Sequence, residues 1–291
     1  SFGPRSGLTP NLDRVAAAGR RFTRAMAQSS ATRFSVPALL SGRWVAHTEY
    51  EEKLNLYTLD PSVPMLQTVL AAQGYRTGAV VPSVPHLQMP RFRTGFNVFD
   101  VISSAEMRKL GDHGTPRAVD HVLDQFRAAE GAPVFVYAHL MDAHHPYRKG
   151  LRRPGGPPGT KGDYQGEIAQ MDADLGRLLD ALDELRKSRP VLLVVTADHG
   201  EGFMEHGTPY HARDLYQTSL HVPLVFQGPG VVPGDDVDTP VDLLDVGVTL
   251  AEFGGAVLPR AQGSSLRGLL AGFRCLVLAL LVLALAQPSW W

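Results

Sequence analysis

Apolar positions along the chain fall into two rhythms. Helical spacing marks 9–19, where Leu12, Val15 and Ala16 share one side, Thr9 stands as N-cap, Pro10 takes the first helical position and Gly19 is the stop. The same spacing returns at 64–73, ended by Gly74, at 115–129 through Val119, Val122, Leu123 and Phe126, and in the amphipathic run EIAQMDADLGRLLDALDEL. After these helices come continuous apolar runs: the stretch reaching Val81, then PVFVYAHL, VLLVV and HVPLVFQG. RFTRAMAQ reads as a strand or extended segment. SVPALLSG reads as the start of another helix, with Pro37 tolerable only in its first turn and Thr32 just ahead of it. Strands buried on both faces need no polar alternation, so this succession predicts one α/β domain with a mostly parallel sheet covered by helices on both faces. The Pro/Gly-rich piece 148–162 reads as a loop.

Composition narrows the classes. With 291 residues, 44% of them hydrophobic, the chain is long enough for a real core, and disorder is not expected. A formal net charge of −1 gives no global pull toward nucleic acid or an anionic membrane, so no nucleic-acid partner is expected. Cys275 is the only cysteine, which excludes an intrachain disulfide and a thiolate zinc site. No signal peptide is visible ahead of SFGPRSGLTPNLD. At the other end, residues 275–286 form an apolar run of twelve followed by QPSWW. A membrane-spanning helix needs roughly twenty such residues. The run therefore reads as a short buried helix, a clipped anchor with interfacial Trp290 and Trp291, or a sequence artefact, and it is set apart as a tail (275–291) from a domain at 1–274.

In open parallel α/β sheets ligands gather at the carboxyl ends of strands, and the polar clusters of this chain fall there. PVFVYAHL runs into MDAHHPY, and VLLVV runs into TADHGEGFMEHG; seven of the eleven histidines lie between 139 and 221. Asp198 and His199 set a hard oxygen beside an imidazole, with Gly200 letting the backbone turn, which suits a divalent metal. The competing reading has Asp198 capping a following helix and His199 facing solvent. Thr32 is either a simple helix cap or a hydroxyl that a metal and a helix N-terminus convert into a nucleophile.

Taken together, TPNLDRVAAAGRRFTRAMAQSSATRFSVPALLSGR, QGYRTGAVV, HLMDAHHPY, DYQGEIAQMDADLGRLLDAL, VVTADHGEGFMEHG, HARDLYQTSLHVPLVFQGPG and DLLDVGVTLAEFGG resemble, in order, the blocks of the sulfatase family of the alkaline phosphatase superfamily. The resemblance implies an alkaline phosphatase-like fold and a metal-dependent hydrolase of sulfate or phosphate esters. It places Thr32 at the nucleophile, Asp198 and His199 (with Thr32) on the metal, and His144 and His211 on the transferred group. His206 would contact substrate or metal, and Arg33 would steady an anion or remain a surface charge. It also implies a small-molecule, glycan or lipid ester as substrate and an extracytoplasmic location, periplasmic or attached to a membrane through the tail or a missing N-terminal segment.

Two departures qualify these expectations. Sulfatases oxidise a Cys or Ser to an aldehyde at the nucleophile position, which threonine cannot undergo. Thr32 instead resembles the arrangement of the superfamily's phosphodiesterases and its phosphoglycerol or phosphoethanolamine transferases. The family's opening strand with its metal-binding Asp residues is also absent ahead of Ser1. A sheet short of one strand, a metal site short of a carboxylate and weak metal affinity are therefore expected. Zn²⁺ or Mn²⁺ suits the Asp–His pair better than Mg²⁺ or Ca²⁺. Alternatives are a transferase, a degenerate relative that binds anions or metal without turnover, and an anchored structural domain.

Overall fold

The computed structural model describes residues 7–47, 50–53, 56–59, 62–109, 114–147, 161–270 and 278–283. Its main sheet has eight strands. In chain order they are β1 (Arg20–Met26), β2 (Arg76–Pro82), β3 (Val98–Ile102), β4 (Val134–Leu140), β5 (Leu192–Thr196), β6 (His221–Gln227), β7 (Val241–Asp242) and β8 (Leu278–Leu283). Across the sheet the order is β7-β1-β6-β5-β8-β4-β2-β3. Only β6 runs against the others. The mostly parallel sheet is as the apolar runs predict, and β4 and β5 are buried along their whole length. HVPLVFQG, expected to continue the parallel series, is the reversed β6. No crossover helix links it to β5, so the chain returns antiparallel after a long excursion over one rim of the sheet.

Helices cover both faces in two sets. On one face α1 (Pro10–Ala17), α4 (Thr115–Arg127) and α5 (Lys161–Arg186) pack together; on the other, α2 (Thr32–Ser41), α3 (Leu66–Ala72) and α6 (Leu243–Phe253) do so. Thr9 holds the N-cap position of α1, but its side chain makes no cap bond. The Asp172 carboxylate on α5 does that work, accepting the backbone N–H groups of Asn11 at 2.9 Å and Leu12 at 2.8 Å. Pro37 lies inside α2 rather than in its first turn, because the helix already starts at Thr32.

The largest difference from the expected architecture is β8. The apolar run assigned to a tail supplies a strand to the middle of the sheet, parallel to β4 on one side and β5 on the other. Leu278–Leu283 is an uninterrupted apolar stretch, paired with a parallel neighbour along each edge. The sheet expected to lack a strand is filled at its centre, and a segment hydrogen-bonded on both edges inside a domain is not a bilayer anchor in that state. Among the described residues, no helix is long and apolar enough to cross a membrane. Residues 148–160 of the expected loop, with 275–277 and 284–291 of the tail, lie outside the described residues.

Candidate active site

All strands except β6 point to one rim of the sheet, and the residues following β1, β2, β4 and β5 meet there. Thr32 is the first residue of α2; its N-cap is Ala31, and no side-chain cap bond forms. The Thr32 hydroxyl lies 3.0 Å from His199 Nε2. His199 Nδ1 is 2.8 Å from the Gly200 carbonyl. A carbonyl only accepts, so Nδ1 carries the proton, and Nε2, wherever it holds no proton of its own, accepts from the threonine hydroxyl. The simple-cap reading of Thr32 is thereby replaced by a contact with the second polar cluster.

Asp198 is fully buried, and neither carboxylate oxygen has a hydrogen-bond partner. Its nearest ionic neighbour is His199 Nε2 at 3.5 Å. Burial works against its charge, yet His199 and His139 hold the carboxyl below the usual carboxylate range. No helix follows Asp198 and His199 is buried, so the helix-cap and solvent-facing alternatives do not hold. Gly200 is needed for closeness rather than for a turn: a Cβ there would come within 2.0 Å of the Thr218 carbonyl oxygen.

His211 closes the other side. Its ring stacks on His199, with centroids 4.5 Å apart. Its Nδ1 is 3.0 Å from the buried Glu201 carboxylate, which also accepts the Tyr147 hydroxyl at 2.8 Å. Burial disfavours a charged His211, but Glu201 outweighs it and the imidazole is held above the ordinary histidine range. His144 meets His211 edge-on at 4.9 Å, with its Nδ1 on the His145 carbonyl. Burial keeps His144 below the ordinary range. One imidazole disposed to carry charge thus faces one disposed to stay neutral.

The fold therefore gathers Thr32, Asp198, His199, His211 and His144. It does not bring His206 into that group: the ring is exposed and stacks on Tyr216 with centroids 3.7 Å apart. Arg33 is exposed with its guanidinium 5.0 Å over Phe34, although its charge reaches His86. Sequence reasoning missed four members. Glu201 and Tyr147 position His211. His86 follows β2, where burial and then Arg33, His144 and His199 lower its basicity against Asp198. His139, near the end of β4, accepts or donates at Nδ1 to the Tyr137 hydroxyl (2.9 Å), and its buried Nε2 has no partner. The strand-end rule would have found His86, had it been applied to β2 as well as to β4 and β5.

His139 also sets a pH dependence of stability. Burial pushes it down to about 4; Asp198 opposes, and His86, His199 and His144 add to the depression. Unfolded histidine titrates near 6.5. Between those values the unfolded chain binds a proton that the folded one does not, so stability falls as pH drops through this window, by an amount on the order of 3 kcal/mol for this group. Urea denaturation at a series of pH values should show that loss, and His139→Gln should flatten the curve between about pH 6.5 and 4; an unchanged curve contradicts the assignment.

Similarity to known proteins extends over most of the chain: the family model described as Sulfatase matches residues 1–256. The chain belongs to the sulfatase family. This sulfatase-family chain is similar to arylsulfatase K of Mus musculus, 36% identical over 109 residues, covering 37% of the chain and 20% of the relative. The match spans about a fifth of that relative's length. Among solved structures, it is similar to a phosphonate monoester hydrolase from Silicibacter pomeroyi, with a TM-score of 0.74 at 18% identity, covering 100% of this chain and 75% of that one. A second is a structure in complex with its substrate D-glucosamine-2-N,6-O-disulfate, with a TM-score of 0.70 at 17% identity and coverage of 90% and 75%. At these identities the two structures establish the alkaline phosphatase-like fold.

Proposed function

We propose that the protein hydrolyses sulfate or phosphate esters by attack from Thr32. The observation that carries this reading is the Thr32 hydroxyl hydrogen-bonded to His199 beside a buried carboxylate without a partner. Thr32 Oγ forms a bond to sulfur or phosphorus as the ester oxygen leaves, and His199 Nε2 is placed to receive the hydroxyl proton. His211, kept basic by Glu201, supplies positive charge to the anionic group and a proton to the departing alkoxide. Water then cleaves the threonine ester, releasing sulfate or phosphate and restoring the hydroxyl. His144, less basic through burial, is suited to accept the proton of that water.

A divalent ion fits part of this site. Asp198, with Thr32 and the Nε2 lone pair of His199, would hold it, since two orphaned carboxylate oxygens in a buried place are what a cation satisfies. When bound, it would lower the basicity of the hydroxyl and neutralise charge on the transferred group. Zn²⁺ or Mn²⁺ suits these donors. One lone pair on Nε2 serves either the hydroxyl proton or the ion, so the proton route through His199 belongs to the ion-free site.

A second reading, a relative that binds anions without turnover, is favoured by one observation: among the described residues, no group of three or more His, Cys, Asp or Glu is placed to hold a metal ion. Assays on aryl sulfate, phosphomonoester and phosphodiester panels, with Mn²⁺, Zn²⁺, Mg²⁺ or Ca²⁺ or with chelator, separate the two. The hydrolase reading expects turnover of at least one ester class: turnover that survives chelator runs through His199 as proton acceptor, and turnover that chelator lowers at least tenfold runs with the ion held by Asp198 and His199. Absence of turnover with every metal, together with retained anion binding, supports the second. The nature of the alcohol portion, small molecule, glycan or lipid, and an extracytoplasmic site of action are part of the proposal through the family likeness.

A further inference from the structure

Pro223 stands inside β6, which lies between β1 and β5. Proline has no N–H for a ladder, so within a sheet it belongs at an edge or a bulge, and β6 is not an edge. The bulge is there: Phe22 pairs with Leu224 and Ala25 with Val222, so Thr23 and Arg24 of β1 face Pro223 alone. The other side of β1 is irregular at the same two residues. Phe22 bridges to Val237 and Ala25 pairs with Val241, so Asp238, Thr239 and Pro240 span the stretch that Thr23 and Arg24 span on β1. A cavity of about 590 Å³ opens at this doubly loosened place, and none of the residues gathered around Thr32 lines it. Its volume suits a small molecule.

The wall of the cavity holds both signs of charge. Arg24 brings a guanidinium, a planar fork of N–H donors, and Gln217 an amide with N–H donors of its own. Two other groups accept. The Thr23 hydroxyl donates to Asp238 Oδ1 at 3.0 Å, which leaves Oδ2 as the second acceptor of that carboxylate. His221 Nε2 lies 2.7 Å from the Thr23 carbonyl; a carbonyl only accepts, so Nε2 carries a proton, and Nδ1, wherever it holds none, is an acceptor. Met26 and Pro240 add apolar surface to the wall. A plain anion would answer Arg24 and meet repulsion from Asp238, and a plain cation the reverse. A molecule with one charge of each sign answers both.

We propose that this cavity binds a small zwitterion, an amino acid or short peptide with apolar side chains, its carboxylate on Arg24 and Gln217 and its ammonium on Asp238 and His221. The site stands apart from ester cleavage, since no residue assigned to the reaction at Thr32 takes part in it. An amino acid and a peptide share the recognised chemistry: opposite charges at the two ends of an apolar body.

Calorimetric titration of the whole protein with leucine and leucyl-leucine, and with the N-acetylated and C-amidated form of each, tests the assignment without requiring turnover. The wild-type protein should bind at least one zwitterion saturably, and blocking either its ammonium or its carboxylate should weaken binding by about tenfold or more, because a charge-assisted pair is lost. Arg24→Met keeps the aliphatic stem and drops the charge, so the amidated form should then bind within about twofold of the zwitterion. Asp238→Asn keeps an acceptor for the Thr23 hydroxyl, and in that variant the acetylated form should bind within about twofold of the zwitterion. Both positions are exposed, and a thermal melt like that of the wild type shows each variant folded. The tighter of the two zwitterions identifies the ligand as amino acid or peptide. Absence of saturable binding by both zwitterions, or blocked forms that match them in the wild type, overturns the proposal whatever the variants do. A full penalty that persists in either variant overturns it as well.

Discussion

Thr32→Ala is expected to lower turnover of any ester that the wild-type protein cleaves by at least about 1,000-fold, while leaving the fold intact. Alanine is the best helix former, and the replaced side chain makes no cap bond at the start of α2, so no local structural reason exists for collapse. What disappears is the one hydroxyl facing His199 Nε2. Thr32→Ser keeps an oxygen at the same place and should retain activity within about tenfold, since only a methyl is lost. A thermal melt within a few degrees of wild type for both variants makes the comparison interpretable. Residual activity in Thr32→Ala equal to that in Thr32→Ser would remove Thr32 as nucleophile.

Leu280→Pro is expected to unfold the domain. Leu280 sits in the middle of β8, opposite Tyr137 on β4 and Val194 on β5. Proline has no N–H for the ladder and its ring crowds the neighbouring backbone, so it is confined to edge strands and bulges, and a typical domain has only about 5–15 kcal/mol to lose. Leu280→Val keeps the N–H and is a good strand former, so it should lose far less than the proline variant. Far-UV circular dichroism and urea denaturation report both variants. A proline variant with the wild-type transition would show that 278–283 does not fill the sheet, and would return the apolar run to the status of a tail.

Much of the architecture could be read in advance. Val134–Leu140 and Leu192–Thr196 are continuous apolar runs because both of their faces are covered, and such burial leaves its mark directly on composition. The cluster of polar residues after each was legible for a related reason: a buried parallel strand has no use for Asp or His, so their abrupt arrival marks the rim. Residues 275–286 were not legible in the same way. Twelve apolar residues fit a helix, an anchor or a strand equally, and only a gap of one strand's width between β4 and β5 selects the last. The reversed direction of β6 was hidden too, since a strand buried on both faces reads alike whichever way it runs.

The site divides along the same line. Local pattern picked out Asp198 and His199 and left Thr32 between helix cap and nucleophile; family likeness decided for the nucleophile and added His144 and His211. Whether the hydroxyl faces the imidazole, that His206 lies apart on Tyr216, and that His86, His139 and Glu201 belong to the group were decided only by folding. Periodicity records how each segment meets its own surroundings, apolar or wet, over a few residues. Distances between segments more than a hundred residues apart are set by strand order and by the burial of unlike charges against one another, and these are properties of the assembled sheet.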